Sequence, residues 1–253
     1  RKLANGTMLE AVDNVYNQLG SFGDTVRFPV LTQSIEKRYE ANDGSLVTTV
    51  DKSFGNYDNY GNAQNISVTT DAGGGDSHTK STVNTHDNKT SNWLLGLLTQ
   101  SVITHSSPNT PDLVRTNTYY YSPSTGQLLY DVAEPNTPLM RANVYDYGTS
   151  GRVIKTTTWV MNETTPRYEN TLYDWYDALP SYISNALGHA ESRDYHPGFG
   201  VMTRQTGPNG LTTSWSYDGF GREIRETRPD GTQTHRSWNW AANCSDVPTH
   251  GYY

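Results

Sequence analysis

The chain has 253 residues and a mass of 28.2 kDa. It is only 34% apolar and 18% charged, with a formal net charge of −7 and a single cysteine, Cys244. The excess of acid argues against a nucleic-acid binder, whose affinity rests on neutralising phosphates. One thiol cannot close an internal disulfide or build a cysteine-based zinc site, and the longest apolar run, Trp93–Leu98, falls far short of the ~18 residues that span a membrane. Thirty-three Thr, 21 Asn, 22 Gly and 18 Tyr fill the composition, which predicts many strands and many tight turns rather than helices.

In chain order, the first segment is open between two readings. Leu9, Val12, Tyr16 and Leu19 sit at helical spacing, while Val15-Tyr16-Asn17-Gln18-Leu19-Gly20 also fits a degenerate strand-and-turn unit. Tyr57-Asp58-Asn59-Tyr60-Gly61-Asn62 is a clearer unit of that kind. The polar stretch from Asp71 to Thr90, with Gly73-Gly74-Gly75, reads as a long exposed hairpin tip or a mobile loop. Tyr119-Tyr120-Tyr121-Ser122-Pro123 leads to Gly126, and Tyr145-Asp146-Tyr147-Gly148 leads to Gly151-Arg152 and a strand from Thr156 to Trp159.

From Tyr176 to Trp240 a unit of about 22 residues recurs. Tyr176-Asp177, Tyr195-His196 and Tyr217-Asp218 mark one turn of it, with Gly200 and Gly221 following. Asn185–Gly188, Pro208-Asn209-Gly210 and Pro229-Asp230-Gly231 mark the other. Between Leu211 and Tyr217 large and small residues alternate, the period of a strand, and Asp-Gly is a strong hairpin signal. Thr232, Thr234, Arg236, Trp238 and Trp240 are expected to line one face of a further strand. The expected roles are Tyr176 and Tyr217 as face-packing anchors, Asp177 and Asp218 as turn caps, and Gly210, Gly221 and Gly231 as positions of positive φ. Arg222 is expected to pair with a neighbouring carboxylate.

The hexapeptide Tyr217–Arg222 followed by Pro229-Asp230-Gly231-Thr232 resembles the YD repeat of RHS-repeat proteins, as do Tyr176–Leu179, Asn185–His189 and the segment Asn92–Thr99. The resemblance implies an all-β fold: tandem antiparallel β-hairpin (YD) repeats in a curved, spiralling sheet that forms part of a shell. It divides the chain into an N-terminal β-rich segment, 1–91, with degenerate repeats, and a YD/RHS-repeat segment, 92–253. It implies a secreted or injected bacterial product, a structural section of a shell that encloses and protects a toxin cargo before delivery. The implied partners are the remaining sections of the same polypeptide or a partner shell chain, and the cargo. The family's self-cleavage context, Asp-Pro-x-Gly, is not present, so no catalytic residue is carried over. A chain that opens on Arg1 and holds at most about ten units is expected to be a section of something larger.

Chemistry-bearing residues have structural explanations. Asp58, Asp146, Asp177 and Asp218 recur in equivalent turns, which suits capping rather than one active site. Asp71–His78 lacks the further ligands of a calcium loop, and His78 and His86 lack zinc-protease spacing. Cys244 with His250 is adjacent only in sequence. Asn-x-Ser/Thr triplets at Asn5, Asn65, Asn88, Asn162 and Asn243 arise readily in a chain this rich in Asn and Thr. No enzyme, metal or cofactor is expected. Trp215, Trp238 and Trp240 on strand faces are the candidate ligand-facing aromatics, which keeps open an adhesion or carbohydrate-binding module; a hydrolase with an unrecognised site is the other alternative.

Overall fold

The computed structural model of the chain describes residues 1–2, 6–22 and 26–238. Among them the regular structure is strand, apart from one 3-10 turn at Thr90–Asn92. Seventeen strands follow one another: β1 (Glu10–Phe22), β2 (Val26–Tyr39), β3 (Leu46–Tyr57), β4 (Ala63–Asp71), β5 (Ser77–Lys89), β6 (Leu94–Ser106), β7 (Leu113–Tyr121), β8 (Leu128–Ala133), β9 (Arg141–Tyr147), β10 (Val153–Val160), β11 (Arg167–Tyr173), β12 (Pro180–Asn185), β13 (Ala190–Tyr195), β14 (Met202–Thr206), β15 (Thr212–Tyr217), β16 (Glu223–Thr227) and β17 (Gln233–His235).

Two units divide the chain: Arg1–Tyr145 with Thr158–Pro166, and Asp146–Thr157 with everything from Arg167 on. In the first, β1 to β9 form an antiparallel meander, each strand pairing with the next. In the second, β11 to β17 do the same. Short connections force this order, because a strand that returns through a tight turn can pair only with its predecessor.

Each meander is a single layer. Among the described residues only Val30 (8% exposed) and Ser101 (6%) are buried, so there is no core in the usual sense. The chain exposes 17206 Å², against roughly 11,000 Å² for a folded monomer of this mass. Stability therefore falls to the ladder hydrogen bonds and to cross-strand pairs worth about 0.2–1 kcal/mol each. The stacked rings of Tyr120 and Tyr130, 4.2 Å between centroids, are one such pair. The hydroxyl contacts Thr69–Thr79 and Thr206–Thr212, at 3.0 and 2.9 Å, are others.

Three local expectations are corrected. The helical spacing near Leu9 is overridden: Glu10–Phe22 is β1, paired with β2 along its length. The polar stretch Asp71–Thr90 is mostly the 13-residue β5, and only its start is a turn. Its Ser, Thr, His, Asn and Lys side chains lie on a sheet wet on both faces, where a strand needs no apolar side. The strand expected to run from Thr232 to Trp240 is the short β17, ending at His235, with Trp238 beyond it.

Candidate functional site

The distinctive local chemistry sits at the turns, here called corners. The corners between β3 and β4, β11 and β12, β13 and β14, and β15 and β16 share one plan, with the closing carbonyl four or five residues on. At the β15–β16 corner the N–H of Asp218 donates to the Arg222 carbonyl (2.9 Å) and that of Gly221 to the Asp218 carbonyl (3.1 Å). Asp218 Oδ1 accepts the N–H groups of Phe220 and Arg222, both at 2.9 Å. Its Oδ2 takes the Arg222 guanidinium at 2.7 Å. These bonds, led by the Arg222 N–H, hold the Asp218 carboxyl below the ordinary range. The short Asp side chain does here what a backbone carbonyl would do one residue on, which is why Asp or Asn suits the position.

The β3–β4 corner repeats the plan with Asp58. Its Oδ1 accepts from Tyr60 and Asn62 N–H, and its Oδ2 from Asn62 Nδ2 and Asn88 Nδ2, at 2.8–2.9 Å. Burial works against the charged form, but these four bonds outweigh it and lower the carboxyl to about 2. Asn88, whose Oδ1 accepts the Gly96 N–H at 2.7 Å, belongs to the next corner of the same kind, so the network ties two corners together. His196 fills the Asp position with its ring: Nδ1 accepts the N–H groups of Gly198 and Phe199, both at 3.2 Å.

The corner tyrosines reach backwards. Tyr57 donates its hydroxyl to the Leu31 carbonyl, Tyr173 to Val153, Tyr195 to Pro180 and Tyr217 to Met202, at 2.5, 3.0, 2.8 and 2.5 Å. Each acceptor lies on the preceding strand, toward the end where the previous corner stands. In the second unit each of these tyrosines also sits beside a register shift: Leu172/Tyr173, Asp194/Tyr195 and Ser216/Tyr217. A bulge turns the strand and re-aims the side chain. Partial burial raises the Tyr217 hydroxyl above its usual range. Tyr217→Phe removes the hydroxyl that donates to the Met202 carbonyl, and is expected to cost about 1 kcal/mol of local opening free energy in β15 by hydrogen exchange.

The corners also nest sterically. A Cβ on Gly221 would stand 3.0 Å from Cγ of Phe199, a side chain of the previous corner, and one on Gly61 would overlap the Phe28 ring. On the opposite edge, a Cβ on Gly210 or Gly231 would meet nothing within 4 Å. There the cap comes from the third turn residue instead: Asn209 Oδ1 accepts from Leu211 N–H, and Asp230 Oδ1 from Thr232 N–H.

The expected motif residues fall as follows. Tyr195, Tyr217, Asp218, Gly200 and Gly221 lie at corners of the first kind, and Gly188, Gly210, Asp230 and Gly231 at the second. Arg222 ion-pairs with Asp218, and its guanidinium lies over the rings of Phe220 and Trp238. Tyr176 and Asp177 are displaced from their expected roles: Tyr173 and Asp174 hold them instead. Asp174 Oδ1 accepts from Ala178 and Leu179 N–H, while Asp177 occupies a left-handed turn position at φ 53° and Tyr176 projects into solvent. Two Tyr-Asp pairs lie three residues apart here, and the bulge at Tyr173 decides between them. Trp215 lies half-buried on β15, and Trp238 donates its indole N–H to the Glu223 carbonyl at 2.8 Å. Trp240, Cys244, His250, Asn243 and Asn5 lie outside the described residues.

Residues 201–233, which hold β14, β15, β16 and both kinds of corner, match the family model described as RHS Repeat. Residues 201–233 thus carry an RHS repeat. No curated protein matches its sequence. Among solved structures, the chain resembles a chain of the crystal structure of TcdB2-TccC3-Cdc42 at 10% identity and a TM-score of 0.60, covering 96% of this chain and 17% of that one. It resembles a chain of TcdB2-TccC3-TEV at 11% identity and a TM-score of 0.60, covering 89% and 16%. At these identities the likeness is one of fold, and the chain spans about one sixth of the chains it matches.

Proposed function

We propose that the chain is a section of the wall of a secreted or injected RHS shell that encloses and protects a toxin cargo, as the fold it shares with TcdB2-TccC3 chains suggests. The observation that carries this reading is the single layer with almost nothing buried. A free-standing domain needs a core to offset its conformational entropy. A wall needs only a continuous ladder, sealed edges and neighbours, and the corners supply the seal. Containment requires no reaction at these residues, and no catalytic role is assigned to any of them. The partners on this reading are further sections of the same polypeptide or a companion chain, and the cargo inside.

Protease protection tests it. In the full-length protein that contains this chain, a cargo polypeptide should survive proteinase K as long as the RHS region is intact. It should become digestible once the region is opened by Asp58→Ala with Gly221→Ala. A cargo cut equally fast in both proteins, or no protected polypeptide at all, would overturn the reading.

A further inference from the structure

The β11–β12 and β13–β14 corners are each one residue longer than the β15–β16 corner. Asp174 N–H donates to the Leu179 carbonyl and His196 N–H to the Val201 carbonyl, five residues on, where Asp218 N–H reaches only to Arg222. The extra length lifts Trp175 and Tyr176 clear of the sheet, at 94% and 73% exposure. Together with Arg193, Asp194, His196 and Pro197 they line a cleft of about 640 Å³, within the size range of small-ligand sites. An indole this exposed contributes nothing to the packing of the fold, and aromatic side chains left in water beside a concavity are characteristic of binding surfaces.

The polar groups of the cleft complement the rings. The Asp194 carboxylate makes no hydrogen bond or ion pair with the described residues, so both oxygens are open acceptors. The His196 ring accepts two backbone N–H groups at Nδ1, which places its proton on Nε2 as a donor. Arg193 is held at 2.5 Å by Glu191. Flat rings beside a carboxylate and N–H donors suit a molecule with one apolar face and a rim of hydroxyls, which is a pyranose. The Asp174 carboxylate also lines the cleft, but its Oδ1 is taken by the Ala178 and Leu179 N–H groups and Arg152, 5.4 Å over the neighbouring Tyr173 ring, offsets its charge, so a neutral ligand suits the cleft.

We propose that this cleft binds a neutral terminal hexose of a glycan. Trp175 and Tyr176 stack on the sugar's CH face, Asp194 accepts a pair of hydroxyls and His196 donates to one. The proposal is independent of the wall reading, since a wall section can carry an outer sugar site or none.

An array of neutral hexose- and N-acetylhexosamine-terminated glycans, followed by calorimetric titration of the best monosaccharide, tests it on the intact protein. Binding should fall at least about tenfold in Trp175→Ala and in Asp194→Asn. It should persist in Trp93→Ala, which removes another indole exposed to 77% at the turn after β5. Unchanged thermal unfolding of Trp175→Ala shows that the fold is intact. A blank array, binding that survives both cleft variants, or equal loss in Trp93→Ala would overturn the proposal, as would saturation by tetramethylammonium with no glycan bound.

Discussion

Gly221→Ala is expected to destabilise the chain by about 2–4 kcal/mol, whereas Gly231→Ala should cost about 1 kcal/mol. Both glycines close a corner with the same hydrogen-bond frame, and both have positive φ, 77° and 82°, so the left-handed penalty for an L-residue is common to the two. They differ in what lies above them. A methyl on Gly231 points into open space, while one on Gly221 meets Cγ, Cδ1 and Cβ of Phe199 at 3.0, 3.2 and 3.4 Å. Those are the atoms nearest the Phe199 backbone, so the ring cannot swing aside without a rotamer change that also breaks its stacking on His196. Chemical denaturation of the two variants reads the difference directly. Equal costs would mean that the corner needs glycine for its backbone alone.

Asp58→Ala is the second large effect, at about 2–3 kcal/mol, because one carboxylate accepts four hydrogen bonds and links two corners. The same residue makes stability depend on acid. Its carboxyl titrates at about 2 in the folded chain against an ordinary 3.8. Between those values the unfolded chain therefore binds the proton more readily, and stability rises with pH. The stabilisation is full above 3.8 and lost as the pH falls through about 2. Half-exposure and screening keep this component near 1 kcal/mol. In Asp58→Ala that part of the acid dependence should vanish, measurable as a flatter stability profile between pH 4 and 2. A slope identical to wild type would assign the acid sensitivity elsewhere.

Hairpin order was legible in the sequence because turn chemistry is local. Pro-Asp-Gly and Asn-Gly fix a backbone path within four residues, whatever surrounds them. Two features were not legible, for physical reasons. In the stretch Asp71–Thr90 the usual apolar alternation is missing, because a single layer leaves both faces of β5 in contact with water. Polar residues there look like a loop although they pair along two strands. At Tyr173–Asp177 the two candidate pairs are equivalent as sequence, and only the bulge and the reach of the Tyr173 hydroxyl to Val153 separate them. The tyrosine latches and the seat of Phe199 over Gly221 join residues brought together by the pairing of successive hairpins, so no local pattern announces them.

The central claim is that successive corners interlock, each resting on the one before. A double-mutant cycle between Phe199 and Gly221 tests it most directly. With Phe199→Ala in place the obstruction is gone, so Gly221→Ala should fall to the cost of Gly231→Ala, a coupling of about 1–2 kcal/mol. Costs that add to within about 0.3 kcal/mol would show that the two corners do not touch energetically, and would contradict the account.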